Sequence, residues 1–190
     1  MIRNVTAAVA RGSTIHATLD FIRHTHGRDT VSAIVGLLDE DDRRAILSAD
    51  LTTEVPYESV LALWRIADAL LATSHPTWME EAGAFALESI GQQLYGRILR
   101  RASPHEFITQ SAWMFRLYYA PGEWTVPELS PGRAILRLLG FDTVTTLFCR
   151  RQTGGLRRAV ELAGGRRVTS THVRCVHEGD ATCEWELCWT

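Results

Sequence analysis

Lysine is absent from the 190 residues: all 20 basic side chains are arginine, so a Schiff-base or P-loop lysine is excluded. Charge of one sign is lacking too, since 22 acidic residues leave a formal charge of −2. The basic footprint expected of a nucleic-acid or anionic-membrane binder is therefore missing. No stretch approaches the ~20 apolar residues of a membrane span. Residues 1–10 hold only a short apolar run, cut off by Arg11 and too polar for a secretory signal, so the expected location is the cytoplasm. Gly-x-Ser-x-Gly, Walker, Rossmann and His-Glu-x-x-His motifs are all missing, and catalysis is not expected. Neither an internal repeat nor a low-complexity linker is present, and 46% apolar residues with 14 Gly and 6 Pro describe one globular domain over residues 1–190.

What is present divides the chain in two. Up to about residue 120 the pattern is helical. Ser13 or Thr14 can cap a helix carrying Ile15, Leu19 and Ile22 that ends near Gly27, and Asp29 can cap the next. Asp39-Glu40-Asp41-Asp42 suits the positive end of a short helix through Leu47, as solvated capping and not as a metal site. Pro56 opens a central helix in which Val60, Leu61, Leu63, Trp64, Ala67, Leu70 and Leu71 recur at helical intervals. A long helical stretch is expected over 77–101, bent near Gly91 and ending on Arg97, Arg100 and Arg101; Ser103-Pro104-His105-Glu106 then caps a helix through Tyr118. Beyond Pro121-Gly122 come strand-like segments at 123–128 and 133–139, then a helix over 143–163 that Gly154-Gly155 would split. A final hairpin pairs 166–177 with 183–189, placing Cys183, Trp185, Leu187 and Trp189 on a buried face. The expected fold is α+β: a helical layer packed on a small antiparallel sheet, with one intervening helix.

The four cysteines stand at 149, 175, 183 and 188. In a reducing compartment such spacing is read first as metal chemistry. Cys175 and Cys183 flank the hairpin tip, His172 precedes Cys175 by three residues, and Cys149 lies at a helix start. Thiolates and imidazole suit a closed tetrahedral zinc site that would pin that helix to the hairpin. Positions 172 and 175 point to opposite faces of a regular strand, so the site requires a bulge or a strand end between them. His177 and Glu178 are the fallback ligands, and unliganded buried cysteines are the alternative. Cys188 faces away as a free thiol.

The segment His172-Val173-Arg174-Cys175-Val176-His177-Glu178-Gly179-Asp180-Ala181-Thr182-Cys183, together with Cys149 and Gly165-Arg166, resembles the zinc-site half of the 4-vinyl-reductase domain found in aromatic-effector sensors. The departure is His172, where those sensors carry Glu. Over most of its length, through Phe115-Arg116-Leu117-Tyr118-Tyr119 and the ending Glu184-Trp185-Glu186-Leu187-Cys188-Trp189, the chain also resembles an uncharacterised bacterial family of about 200 residues. The wider superfamily includes haem-based nitric-oxide sensors and vesicle-tethering subunits.

That resemblance implies a structural zinc on Cys149, His172, Cys175 and Cys183, a homodimer, and a small apolar or aromatic ligand enclosed between helices and sheet. Phe107, Trp113, Phe115, Tyr118, Tyr119 and Trp124 fit such a pocket, although aromatic stripes at helical spacing also fill cores. The Tyr-x-Ser-x-Arg motif that holds haem propionates in the nitric-oxide sensors is missing, and His105 reads as a first-turn surface residue, not an axial ligand. His24 and His26 read as the polar end of the first helix. The expected function is a non-catalytic small-molecule-binding or regulatory module that acts through an unidentified protein partner or self-association. A ligand-free scaffold and a small enzyme of tetrapyrrole or aromatic metabolism are the alternatives.

Overall fold

A computed structural model describes residues 7–91, 93 and 103–190, with the backbone alone at 111–113. The expected basic end of the 77–101 stretch therefore lies outside the described residues. The architecture is α+β, with helices dominating the first part and strands the second.

Strand β1 (Val9–Arg11) leads into α1 (Gly12–His26), followed by α2 (Arg28–Leu37) and α3 (Glu40–Leu47). The first helix begins one or two residues before the expected cap. Arg11 is its N-cap residue, and Ser13 and Thr14 are buried in the first turn. Gly27, not Asp29, precedes α2. The acidic run behaves as expected: Asp39 accepts the Asp42 backbone N–H at 2.8 Å.

Strand β2 (Glu54–Pro56) precedes α4 (Tyr57–Leu71), whose apolar stripe is the centre of the core, with Val60, Leu63, Trp64 and Ala67 fully buried. The next helix, α5 (Trp78–Ala86), passes at Leu87–Gly91 into a π turn. Ser103 and Glu106 form the reciprocal cap of α6 (Pro104–Gln110): each accepts the other's backbone N–H, at 3.3 and 3.1 Å. The expected helix to Tyr118 tightens into 3₁₀ geometry over Ser111–Leu117.

Two antiparallel sheets follow. The smaller, in the order β2-β1-β3 with β3 at Tyr119–Ala120, draws strands from the helical half and was not expected. The larger runs β4 (Glu123–Ser130), β5 (Arg133–Leu139), β7 (Cys183–Cys188), β6 (Thr169–Arg174). On β7, Trp185 and Leu187 are fully buried, and Glu184 on the other face is also buried, between Arg137 at 2.6 Å and Arg174 at 3.4 Å.

Helix α7 (Thr146–Leu162) joins the layers and is not split at Gly154-Gly155. Glycine costs helix stability, yet here it permits close approach to α5. A Cβ at Gly154 would lie 1.8 Å from the Glu80 carbonyl oxygen, and one at Gly83 would lie 2.1 Å from that of Arg151. The glycines are the contact surface of the α5–α7 crossing.

Candidate functional site

Two constellations are built on α7, on different sides of the helix. Cys149 and Thr153 share one side, four residues apart, and Arg151, Gln152, Gly155 and Ala159 share another.

The first is the Cys/His cluster. The ligand atoms of Cys149, His172, Cys175 and Cys183 all lie within 4.8 Å of one another, and the three cysteines are buried. The required irregularity is present: the β6–β7 register shifts between His172 and Arg174, and Cys175 lies beyond the strand end. The Cys175 N–H donates to Asp180 Oδ2 at 2.8 Å, which fixes the loop. The His172 ring stacks on Trp185 with centroids 4.3 Å apart, and its Nε2 has no hydrogen-bond partner among the described residues. Cys149 Sγ and Cys183 Sγ are 3.8 Å apart. That contact separates their ionisation: the thiol of Cys149 is pushed up by its bond to Cys183 and by burial, whereas Cys183 is drawn down to about 4, chiefly by the Cys149 S–H and then by His172. The cluster thus brings three cysteine sulfurs and an imidazole together, a donor set suited to a borderline or soft cation. His177 and Glu178, the fallback ligands, are exposed and outside the cluster, and His177 instead contacts the Val144 carbonyl at 3.1 Å. Cys188 is half-buried and also outside it.

The second constellation is a partly open cavity of about 70 Å³ lined by α1, α5, α6, the 3₁₀ turn, β4 and α7. Phe107, Phe115, Tyr118, Tyr119 and Trp124 line it, five of the six expected aromatic residues; the side chain of Trp113 lies outside the described ones. Several of the rings meet edge-to-face. Phe115 meets Trp124 at 5.7 Å and Phe141 at 5.3 Å, and Trp124 meets Trp185 at 5.2 Å. Much of the aromatic set is therefore core, as the alternative reading held.

Sequence reasoning missed Arg151. It is 4% exposed, lies over the Trp64 ring at 5.2 Å and bonds the hydroxyl of Tyr119. Burial draws its guanidinium below the ordinary range, and burial likewise pushes the Tyr119 phenol up, so the phenol stays neutral. The available signal was the register of α7, in which residues 151, 155 and 159 fall on one inward-facing stripe. Among the described residues the lining contains no Asp, Glu, His or Cys.

The cluster's role as a staple is testable by Cys175→Ser. A hydroxyl placed in this buried site costs about 1–3 kcal/mol. Thermal unfolding of the variant is expected several degrees below wild type, and an unchanged Tm would sink the staple. Elemental analysis of both samples separates a cation-held staple from a hydrogen-bonded one.

No protein-family model and no curated protein matches the chain. Among solved structures it resembles the Fe(II) unliganded H-NOX protein from K. algicida (TM-score 0.71, 10% identity, covering 95% of this chain and 96% of that one). It also resembles an H-NOX protein from S. oneidensis in the Fe(II)NO ligation state (TM-score 0.68, 13% identity, 95% and 99% covered). A third likeness is to a structure described as probing the function of heme distortion in the H-NOX family (TM-score 0.69, 9% identity, 95% of each chain). The likeness bears out the expected α+β fold and no more, and the 4-vinyl-reductase label gains no support from it. It corrects the expectation of zinc as the structural cofactor, because the group named for proteins of this fold is haem. At these identities the comparison establishes one thing: the chain has the H-NOX fold.

Proposed function

We propose that the protein is a non-catalytic small-molecule-sensing module whose ligand occupies the aromatic cavity between the helical layer and the sheet. The observation that carries this reading is the cavity itself: apolar, at the junction of both layers, and free of the carboxylates, imidazoles and thiols that acid–base or nucleophilic catalysis uses.

Haem, the group bound by proteins of this fold, does not fit the residues present. Among the described residues no imidazole or thiol lines the cavity, and His105 is exposed while Phe107 and Ile108 of the same helix point inward. A cavity of about 150 Å³ holds a benzene molecule. The 70 Å³ here is far below what a porphyrin requires. The sensed molecule binds directly to the protein.

The coupling element is α7. It lines the cavity with Arg151, Gln152, Gly155, Leu156 and Ala159, and Thr153 accepts the Trp185 indole N–H at 2.9 Å. A ligand that binds one setting of α7 more tightly than another shifts that population and, with it, the sheet. Output passes through a protein partner or a second copy of the chain, and the Cys/His cluster acts as the staple between α7 and the hairpin.

Thermal shift and calorimetry against small apolar molecules test the reading. A ligand at a hundred times its Kd stabilises the folded state by about 2.7 kcal/mol. Ala159→Leu, which fills the cavity from α7, is expected to abolish the shift while remaining folded. The proposal fails if no ligand in a broad panel stabilises the wild type, or if the Leu variant responds equally.

A further inference from the structure

We infer that the occupant of the cavity is an anion, an apolar monocarboxylate seated on Arg151. The inference rests on the sensing proposal and specifies its ligand.

Arg151 is 4% exposed, and its Nη1 has no hydrogen-bond partner among the described residues. Arginine remains cationic in proteins, and a buried cation requires compensation by a nearby opposite charge. Its identified contacts are neutral: the Trp64 ring at 5.2 Å and the Tyr119 phenol. Among the described residues the lining supplies no carboxylate. The neighbouring residue shows the contrast. Arg150, on the outer side of α7, meets Glu80 at 2.8 Å and Asp68 at 3.6 Å. The chain thus pairs the accessible guanidinium twice and leaves the interior one without a counterion.

The chemistry that completes Arg151 is a carboxylate, whose planar oxygens match the guanidinium fork. Most of the rest of the wall is apolar, with Leu87, Ile90, Phe107, Phe115 and Leu156 offering contact area, and Ser13, Thr14 and Gln152 are neutral polar members. A doubly charged or strongly hydrated anion such as phosphate would leave most of its charge unmet there. The volume favours a compact body, from short branched aliphatic acids up to a single ring if the walls give.

The experiment is calorimetric titration of the wild-type protein with isovalerate, butyrate and benzoate, paired with the neutral isosteres 3-methyl-1-butanol, 1-butanol and benzyl alcohol, and with inorganic phosphate. At least one acid is expected to bind about ten- to a hundredfold tighter than its alcohol, the scale of a charge-assisted hydrogen bond. Phosphate is expected not to bind. Arg151→Gln and Arg151→Met should lose that preference while retaining alcohol binding. Should either variant misfold, the wild type carries the test alone, since affinity for the acid falls as pH drops through the ligand's own pKa. Alcohols binding as well as acids, or acid preference surviving in a folded Arg151 variant, overturns the inference and leaves the sensing proposal standing. No binding by any acid or alcohol overturns both.

Discussion

Gly154→Ala is expected to lower the melting temperature by roughly 6–12 °C, corresponding to about 3 kcal/mol in a domain of this size. Helix propensity alone predicts the opposite, because alanine is favoured over glycine by about 1 kcal/mol in a helix interior. The packing reverses the sign. The new Cβ would sit 1.8 Å from the Glu80 carbonyl oxygen and 2.5 Å from its carbonyl carbon, against backbone and not the movable end of a side chain. Relief requires separating α5 from α7, and that separation strips contacts along the whole crossing. It also removes Arg150 from Glu80 and opens one wall of the cavity, so any ligand response should weaken with stability. Gly36→Ala is the internal control. Gly36 is an exposed residue of α2 with nothing within 4 Å of its Cβ position, so propensity acts alone and about 0.5–1 kcal/mol is gained. Equal effects at the two positions, measured by chemical denaturation, would refute the close-approach account.

The same pair explains what the sequence made legible and what it did not. Local rules were sufficient where local groups decide. The Asp39 cap, the Ser103/Glu106 cap and the α4 stripe are written within a few residues and form as expected, except that Leu70 of the expected stripe is exposed. The hairpin and its bulge were legible because period-two alternation places Trp185 and Leu187 inward, and because residues 172 and 175 could converge only across an irregularity. Gly154-Gly155 misled because a glycine pair looks like a helix breaker until its partner is known, and that partner, Gly83, lies about seventy residues away. The small sheet was illegible for the same reason. Val9–Arg11, Glu54–Pro56 and Tyr119–Ala120 are too short to show alternation, and each exists only through pairing over long sequence separations. At the site, spacing singled out Cys149, His172, Cys175 and Cys183, which the fold brings within 4.8 Å of one another, and five of the aromatic residues singled out line the cavity. Arg151 escaped because an arginine in an amphipathic helix is ordinarily exposed, and only the tertiary fold turns it inward.

The second large effect is expected at Trp185, where the cluster, the cavity and the sheet meet. Its ring is fully buried, stacks on His172 at 4.3 Å, and holds Trp124 edge-on at 5.2 Å, while its N–H donates to Thr153 of α7 at 2.9 Å. Trp185→Ala removes all of these at once and is expected to cost about 3–5 kcal/mol, the range for truncating a buried aromatic residue. Trp185→Phe separates the contributions. It keeps most of the apolar volume and a ring for His172 to stack on, but leaves Thr153 without its donor, so about 1–2 kcal/mol is expected. The phenylalanine variant serves as the diagnostic one for coupling. If the Trp185–Thr153 bond transmits the setting of α7 to the sheet, Trp185→Phe should bind a cavity ligand nearly as tightly as wild type. Ligand-induced protection of β6 and β7 amides from hydrogen exchange should then be reduced. Unaltered protection in a folded Trp185→Phe protein that binds normally would show that the signal leaves the cavity by another route. A loss of binding itself would place Trp185 in the support of the cavity wall through Trp124, since the phenylalanine does not reach the ligand directly.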